Sequence, residues 1–187
     1  MSTTKTGQSM RFLKVQPEHL EMLMNWRTRP EVTRYMFTDI EADMESQQQW
    51  FARTASDDCF RHWVIEYRGE PIGWLALNDI DWAEKKAFTG FYIGEPGYGM
   101  VSSFVLAYLY NHAFSRMGLE KLYAAVMEGN DNMMKFHRLH GFVHVEKKEK
   151  HIEKYGRRHD VEIFELTKDS WSARRQRYGK YVAEFPD

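Results

Sequence analysis

FTGFYIGEPGYGMVSSFVLAYLYNHAFSRMGLEKLYAAVMEGNDNMMKFHRLHGF, residues 88–142, decides how this chain folds. Its aromatic start continues a strand from Ala87 to Ile93, and the run Gly94-Glu95-Pro96-Gly97-Tyr98-Gly99 is glycine-rich turn chemistry. An apolar helix is expected over Ser102 to Met117, with Gly118 placed as its stop. Lys121 to Met127 reads as the next strand, and Asn130 to Leu139 as a short amphipathic helix closed by Gly141-Phe142. Strand, glycine loop and helix make a cradle for phosphate, because the first N–H groups of a helix have no partner and the dipole there is positive. No Lys-Ser/Thr follows the glycines, which argues against a nucleotide-hydrolysing P-loop. A bare Gly-X-Gly is in many chains only a turn.

Working outward, Arg11 to Val15 alternates as a first strand. Pro17 opens a helix whose Leu20, Leu23, Met24 and Arg27 share one face, and Pro30 ends it. A second short helix, Met44 to Thr54, carries Trp50 and Phe51. His62 to Tyr67 and Ile72 to Ile80 form a hairpin about Gly69-Glu70. Downstream, Phe142 to Glu149 and Arg158 to Leu166 are two strands joined by Lys154-Tyr155-Gly156-Arg157. The order is an α+β plan built on one mixed, mainly antiparallel central sheet with helices on both faces. Residues 1–9 are small and polar and are expected to be disordered, 10–170 form one domain, and 171–187 are a basic, aromatic tail.

The 187 residues suit one domain. With 26 Lys and Arg against 27 Asp and Glu, the chain lacks the basic surplus of a general nucleic-acid binder. The aromatic content, 12 Phe, 10 Tyr and 6 Trp, serves cores and ligand walls alike. The lone Cys59 excludes an intramolecular disulfide, and its acidic neighbours Asp57 and Asp58 argue against a reactive thiolate. No apolar stretch reaches the roughly 18 residues of a membrane span, and the start lacks a signal peptide, so a cytoplasmic location is expected.

The order of these motifs resembles the Gcn5-related N-acetyltransferases: a phosphate loop, a helix ending near Ala113-Phe114, a strand, then Asn130 and finally Gly141-Phe142. The resemblance runs from Arg11 to Trp171. It implies acetyl-CoA as cosubstrate, no metal, and transfer to a primary amine. Trp26-Arg27, Pro30-Glu31-Val32, Tyr35-Met36, Gln47 to Trp50, Val126-Met127-Glu128 and His151…Lys154-Tyr155-Gly156…His159-Asp160-Val161 are similar to one subgroup. That subgroup acetylates the 4-amino group of a UDP-linked 4-amino-4,6-dideoxy sugar in pseudaminic acid biosynthesis for flagellin glycosylation. It implies a nucleotide-sugar partner, with a homodimer left open. The same scaffold also serves polyamine and protein N-terminal amine acetylation, and a non-catalytic acyl-CoA-binding domain is a further alternative.

Two departures stand out. Counting back from Ala113-Phe114 puts Met100 and Ser102 where the family's loop has glycines, and His137 where it has a tyrosine acid. The resemblance then assigns roles. His137 is the candidate general acid for the CoA sulfur, against an ordinary helix histidine; His140, three residues on, completes no metal set. Glu128 is a candidate base through water, or a plain helix N-terminal acid. Asn130 holds the pantetheine arm, or caps the helix, or both. Phe91, Tyr92 and Ile93 supply main-chain groups to the acyl end, Gly97 to Ser102 grip the diphosphate (Gly97, Tyr98, Gly99, Met100, Val101, Ser102), and Phe136 flanks the arm. Arg27 is a candidate clamp for the sugar diphosphate, helped by Arg29, Arg34, Lys154, Arg157 and Arg158. Met36, Phe37, Trp50 and Tyr92 are candidates for an apolar wall around the 6-deoxy methyl group, or plain core.

Overall fold

A computed structural model describes residues 9–187. The expected disordered segment lies, but for Ser9, outside the described residues. The chain runs β1 (Met10–Lys14), a 3₁₀ turn (Pro17–His19), α1 (Leu20–Arg27), α2 (Pro30–Thr33), α3 (Met44–Ala55), β2 (Arg61–Tyr67), β3 (Glu70–Asp81) and β4 (Lys86–Ile93). Then follow α4 (Gly99–Ser115), β5 (Lys121–Met127), α5 (Asp131–His140), β6 (Val143–Lys154), β7 (Arg157–Thr167), α6 (Lys168–Ser172) and α7 (Arg175–Tyr178). The strands form one seven-stranded sheet in the order β1-β2-β3-β4-β5-β7-β6. All neighbours are antiparallel except β4 and β5, which are parallel because the α4 crossover separates them.

Sequence patterning explains both layers. On one face α4 packs Val105, Leu106, Leu109, Tyr110, Ala113 and Phe114 against the sheet. This helix is apolar on its outer side as well, because the C-terminal segment covers it. Tyr181 stacks on Phe104, Phe185 stacks on Phe12, and the Trp171 indole donates to Asn111 Oδ1 at 2.8 Å. Asn111 in turn donates to the carbonyls of Tyr178 and Tyr181, so the basic, aromatic tail is part of the packed core. The opposite face is closed by α1 and α3 through Val15, Leu20, Leu23, Trp26 and Val64.

Several boundaries differ from expectation for local reasons. The helix after Pro17 begins as a 3₁₀ turn, and Pro30 both follows its end and starts a new one-turn helix, since proline suits a first helical position. The long apolar helix starts at Gly99 rather than Ser102 and ends at Ser115; Gly118 turns the chain beyond it at φ 73°. The last hairpin is longer than its apolar pattern suggested, because β6 is an almost fully exposed edge strand of Glu and Lys.

A candidate active-site cleft where two parallel strands part

β4 and β5 pair only over Lys86–Phe88 and Lys121–Tyr123, although both strands continue. At the fork Thr89 Oγ1 donates to the carbonyl of Tyr123 at 3.2 Å. Beyond it β5 keeps its bonds to β7, and β4 its bonds to β3, so the facing edges carry unpaired main-chain groups. A cavity of about 1160 Å³ fills the gap and continues over α1 and α3. Phe91, Tyr92 and Ile93 line it from β4, and Ala124 to Met127 line it from β5.

One end of the cavity leads to the N-terminus of α4. The amides of Val101 and Ser102 bond to the carbonyl of Tyr98, whereas those of Gly97, Tyr98, Gly99 and Met100 have no acceptor among the described residues. Gly97 takes φ 90°, which lets the turn present these groups before the 17-residue helix begins. The site fits a diphosphate: free N–H groups, a positive dipole and no acidic residue in the first turn. Ser102 lines the cavity, Met100 is 87% exposed, and Val101 turns its side chain into the core. The loop is anchored from the side. Trp26 Nε1 donates to Glu95 at 2.5 Å, and Arg29 Nη1 donates to the carbonyl of Gly94. The indole lies so close to Gly94 that a Cβ there would sit 2.2 Å from Trp26 Cδ2.

At the centre, α5 presents Asn130, Met133 and His137 to the cavity. Asn130 caps the helix, its side chain accepting from the Met133 amide at 3.4 Å. Phe136 lies behind the lining, its ring 6.4 Å from that of Phe91. His137 is buried among Phe136, Phe142 and Phe164, and its Nδ1 has no partner among the described residues. Burial, and secondarily the nearby His140, push its pKa down to about 3, so the ring is neutral near pH 7. Glu128 does not reach the cavity: its Oε1 meets His159 Nδ1 at 3.0 Å and Arg157 at 3.7 Å.

The other end is walled by Arg27, Met36, Phe37 and Trp50 together with Trp74, Tyr92 and Asn78. Arg27 donates to Thr33 Oγ1 at 3.0 Å and to the carbonyl of Thr38 at 2.6 Å, so it braces the loop that follows α2. Burial lowers its pKa, with Tyr92 and Asp39 opposing. Arg29 is held by Gly94 and Glu95, Arg157 by Glu128, and Arg158 by Glu153. Lys154 is buried against the 33–39 loop, while Arg34 is exposed beside its own Tyr35 ring. The side chains of the three lining carboxylates, Glu31, Glu41 and Asp79, and of Arg53, Lys148 and His151 make no hydrogen bond or ion pair among the described residues. Asp79 sits at the β3 bulge with φ 51°, a feature that no local sequence signal announces. Among the described residues no group of three or more His, Cys, Asp or Glu could hold a metal, and no helix is long and apolar enough to cross a membrane.

His62, stacked on Trp50 behind this wall and paired through Nε2 with Asn78 Oδ1, is likewise depressed, to about 4, by burial. Both rings are neutral when folded and have higher pKa values when unfolded, so their stability contribution is complete above about pH 6.5 and is lost as pH falls toward 4 and 3. We expect unfolding stability to drop by about 2–4 kcal/mol between pH 7 and pH 5. Urea midpoints at both pH values check this, and His137→Phe should remove about half of the dependence. A flat profile would show that the rings are not desolvated.

The profile of a family described as "Acetyltransferase (GNAT) domain" matches residues 10–143. No curated protein gives a significant match. Among solved structures, the chain is similar to spermidine N-acetyltransferase from Vibrio cholerae in complex with CoA and spermine, with TM-score 0.81 and 18% identity over 88% of this chain and 98% of that one. A dodecameric form of the Vibrio cholerae spermidine enzyme, described as an intermediate state, matches with TM-score 0.75 and 17% identity over 89% and 98%. Identities this low establish a shared fold.

Proposed function

This chain belongs to the acetyltransferase (GNAT) domain family, and from that premise we propose that it moves acetyl from acetyl-CoA to a primary amine of a small, polyamine-like acceptor. The observation that carries this reading is the single cavity joining the gap between β4 and β5 to the aromatic chamber over α1 and α3. The α4 amides hold the diphosphate, and the pantetheine arm runs along the open β4 edge. A main-chain N–H among Phe91 to Ile93 steadies the oxyanion of the tetrahedral intermediate. His137, kept neutral by burial, acts as a hydrogen-bond donor to the leaving sulfur rather than as an imidazolium acid. Glu128, tied to His159, is not the base. Glu31, Glu41 and Asp79 are the carboxylates placed to take the amine's proton through water.

Three observations favour the polyamine class over a nucleotide sugar. The solved structures cited above act, by their own descriptions, on spermidine. Arg27, the candidate clamp for a sugar diphosphate, and Arg29 are both engaged as internal braces. The aromatic walls of Trp50, Trp74 and Tyr92 suit an alkylammonium chain through cation–π contact. The UDP-amino-sugar reading keeps one specific support, the unpaired Arg53, Lys148 and His151 on the rim.

Acetyl transfer measured in parallel on spermidine, a UDP-4-amino sugar and an N-terminal peptide decides between them. Turnover is expected on spermidine. Selective turnover of the UDP sugar would overturn the acceptor class, and no binding of acetyl-CoA would overturn the enzyme reading. His137→Phe should lower kcat about tenfold without moving the acetyl-CoA Kd; unchanged turnover would remove His137 from the chemistry.

A further inference from the structure

The wall of the acceptor chamber is a segment that cannot hold its own shape. Between Thr33 and Met44 the chain has no helix or strand, yet Tyr35, Met36, Phe37, Thr38, Ile40 and Glu41 all line the cavity. Among the described residues its main-chain bonds to main chain are Arg34 N–H to Pro30, Met36 N–H to Thr33 and, at its far end, Gln47 N–H to the Asp43 carbonyl. The shape is therefore set by side chains reaching in from elsewhere. Arg27 braces it from α1, and Lys154 from the far end of the sheet.

Lys154 ends β6, at the tip of the last hairpin. Its ammonium spends all three donors on this one segment: the carbonyls of Thr33 at 2.8 Å and Met36 at 2.9 Å, and Asp39 Oδ1 at 2.6 Å. The side chain is 2% exposed. Asp39 also accepts from Thr33 Oγ1 at 2.8 Å, and these bonds, Lys154's first, hold its carboxyl below the usual range. The hairpin tip is fixed in turn. Tyr155 and Gly156 take positive φ, as a tight two-residue hairpin turn requires, and Tyr155 OH donates to the carbonyl of Arg34 at 3.1 Å. His159 bridges the Lys154 carbonyl at 2.9 Å and Glu128 Oε1 at 3.0 Å. Glu128 directly follows β5, two residues before the Asn130 cap. A continuous polar chain thus runs from the acyl end of the sheet to the acceptor wall.

We propose that Lys154 is a positioning residue for acceptor recognition: it latches the 33–40 segment at a distance set by the end of β5, and so determines which amines fit. The inference rests on the proposed acceptor chamber and adds the residue that shapes it. Replacing the buried ammonium by an apolar group leaves the Met36 carbonyl without its donor and takes one of two donors from the Thr33 carbonyl and from Asp39, so the segment releases toward water.

The test uses Lys154→Met and, as a surface-side variant that spares the fold, Asp39→Asn. Amide hydrogen exchange is followed across the full chain, acetyl-CoA Kd by calorimetry, and KM and kcat with spermidine as the probe acceptor. In Lys154→Met, exchange across 34–40 should quicken by about tenfold or more with α4 unaffected, and spermidine KM should rise by about tenfold with acetyl-CoA Kd within about twofold. Asp39→Asn should show the same pattern, more weakly. Unchanged exchange in 34–40 in both variants overturns the latch. So does a loss of acetyl-CoA affinity equal to the loss for spermidine, which would mark a merely structural lysine. If the unaltered protein binds acetyl-CoA but ignores spermidine, the acceptor assignment fails, and the exchange data still decide the latch.

Discussion

Met100→Asp should weaken acetyl-CoA binding by roughly 30- to 150-fold while leaving the melting temperature unchanged or slightly raised. The two effects have opposite signs for one reason. Met100 lies in the first turn of α4, is 87% exposed, and its amide has no acceptor among the described residues. A carboxylate there complements the helix dipole, a gain of about 0.3–1 kcal/mol. The same carboxylate stands where the diphosphate is proposed to sit, and charges about 6–8 Å apart near a surface repel by about 2–3 kcal/mol, which is the stated loss of affinity. Met100→Ala is the control and should change affinity little. A Met100→Asp protein that binds acetyl-CoA within about twofold would mean that the diphosphate lies elsewhere.

Trp26→Ala carries the largest expected cost in stability. Trp26 is 2% exposed, packs with Val15, Leu20, Leu23 and Val64, and donates from its indole to Glu95. Removing a buried indole costs about 3–5 kcal/mol, or roughly 10 °C in Tm for a domain of this length. Activity should fall further than stability accounts for, because the indole also seats Gly94 and hence the turn that leads to the α4 amides. Differential scanning calorimetry and acetyl-CoA titration at 15 °C, where the variant remains folded, separate the two losses. A variant with full affinity at that temperature would show that the indole supports the core alone.

How far the sequence reaches can be judged residue by residue. The order of elements was legible because each strand and helix carries its own period and punctuation, and the strand Lys121–Met127 falls within the expected bounds. The apolar character of α4 was legible, but not what covers its outer rings: Tyr181 and Phe185 return from the end of the chain to that layer. The expected cradle before α4 does not need glycines at Met100 and Ser102, because a helix start presents its backbone amides whatever the side chain, and those of Gly99 and Met100 have no acceptor among the described residues. What could not be read was which charges are spent. Arg27 and Arg29 look free in a linear sequence, and only folding pairs them with Thr38 and Gly94. Lys154 finds Asp39 across 115 residues, a separation that no local pattern encodes. The same holds for His137, whose neutral ring follows from burial among aromatic side chains contributed by three separate segments.

The account stands or falls on where the coenzyme's diphosphate lies, and a crystal structure of the full chain with CoA measures that directly. The expected result is density for the two phosphates within hydrogen-bonding reach of the Gly99 and Met100 amides, with the pantetheine arm in the fork between Thr89–Ile93 and Ala124–Met127. CoA bound away from α4, with that fork still open, would contradict it.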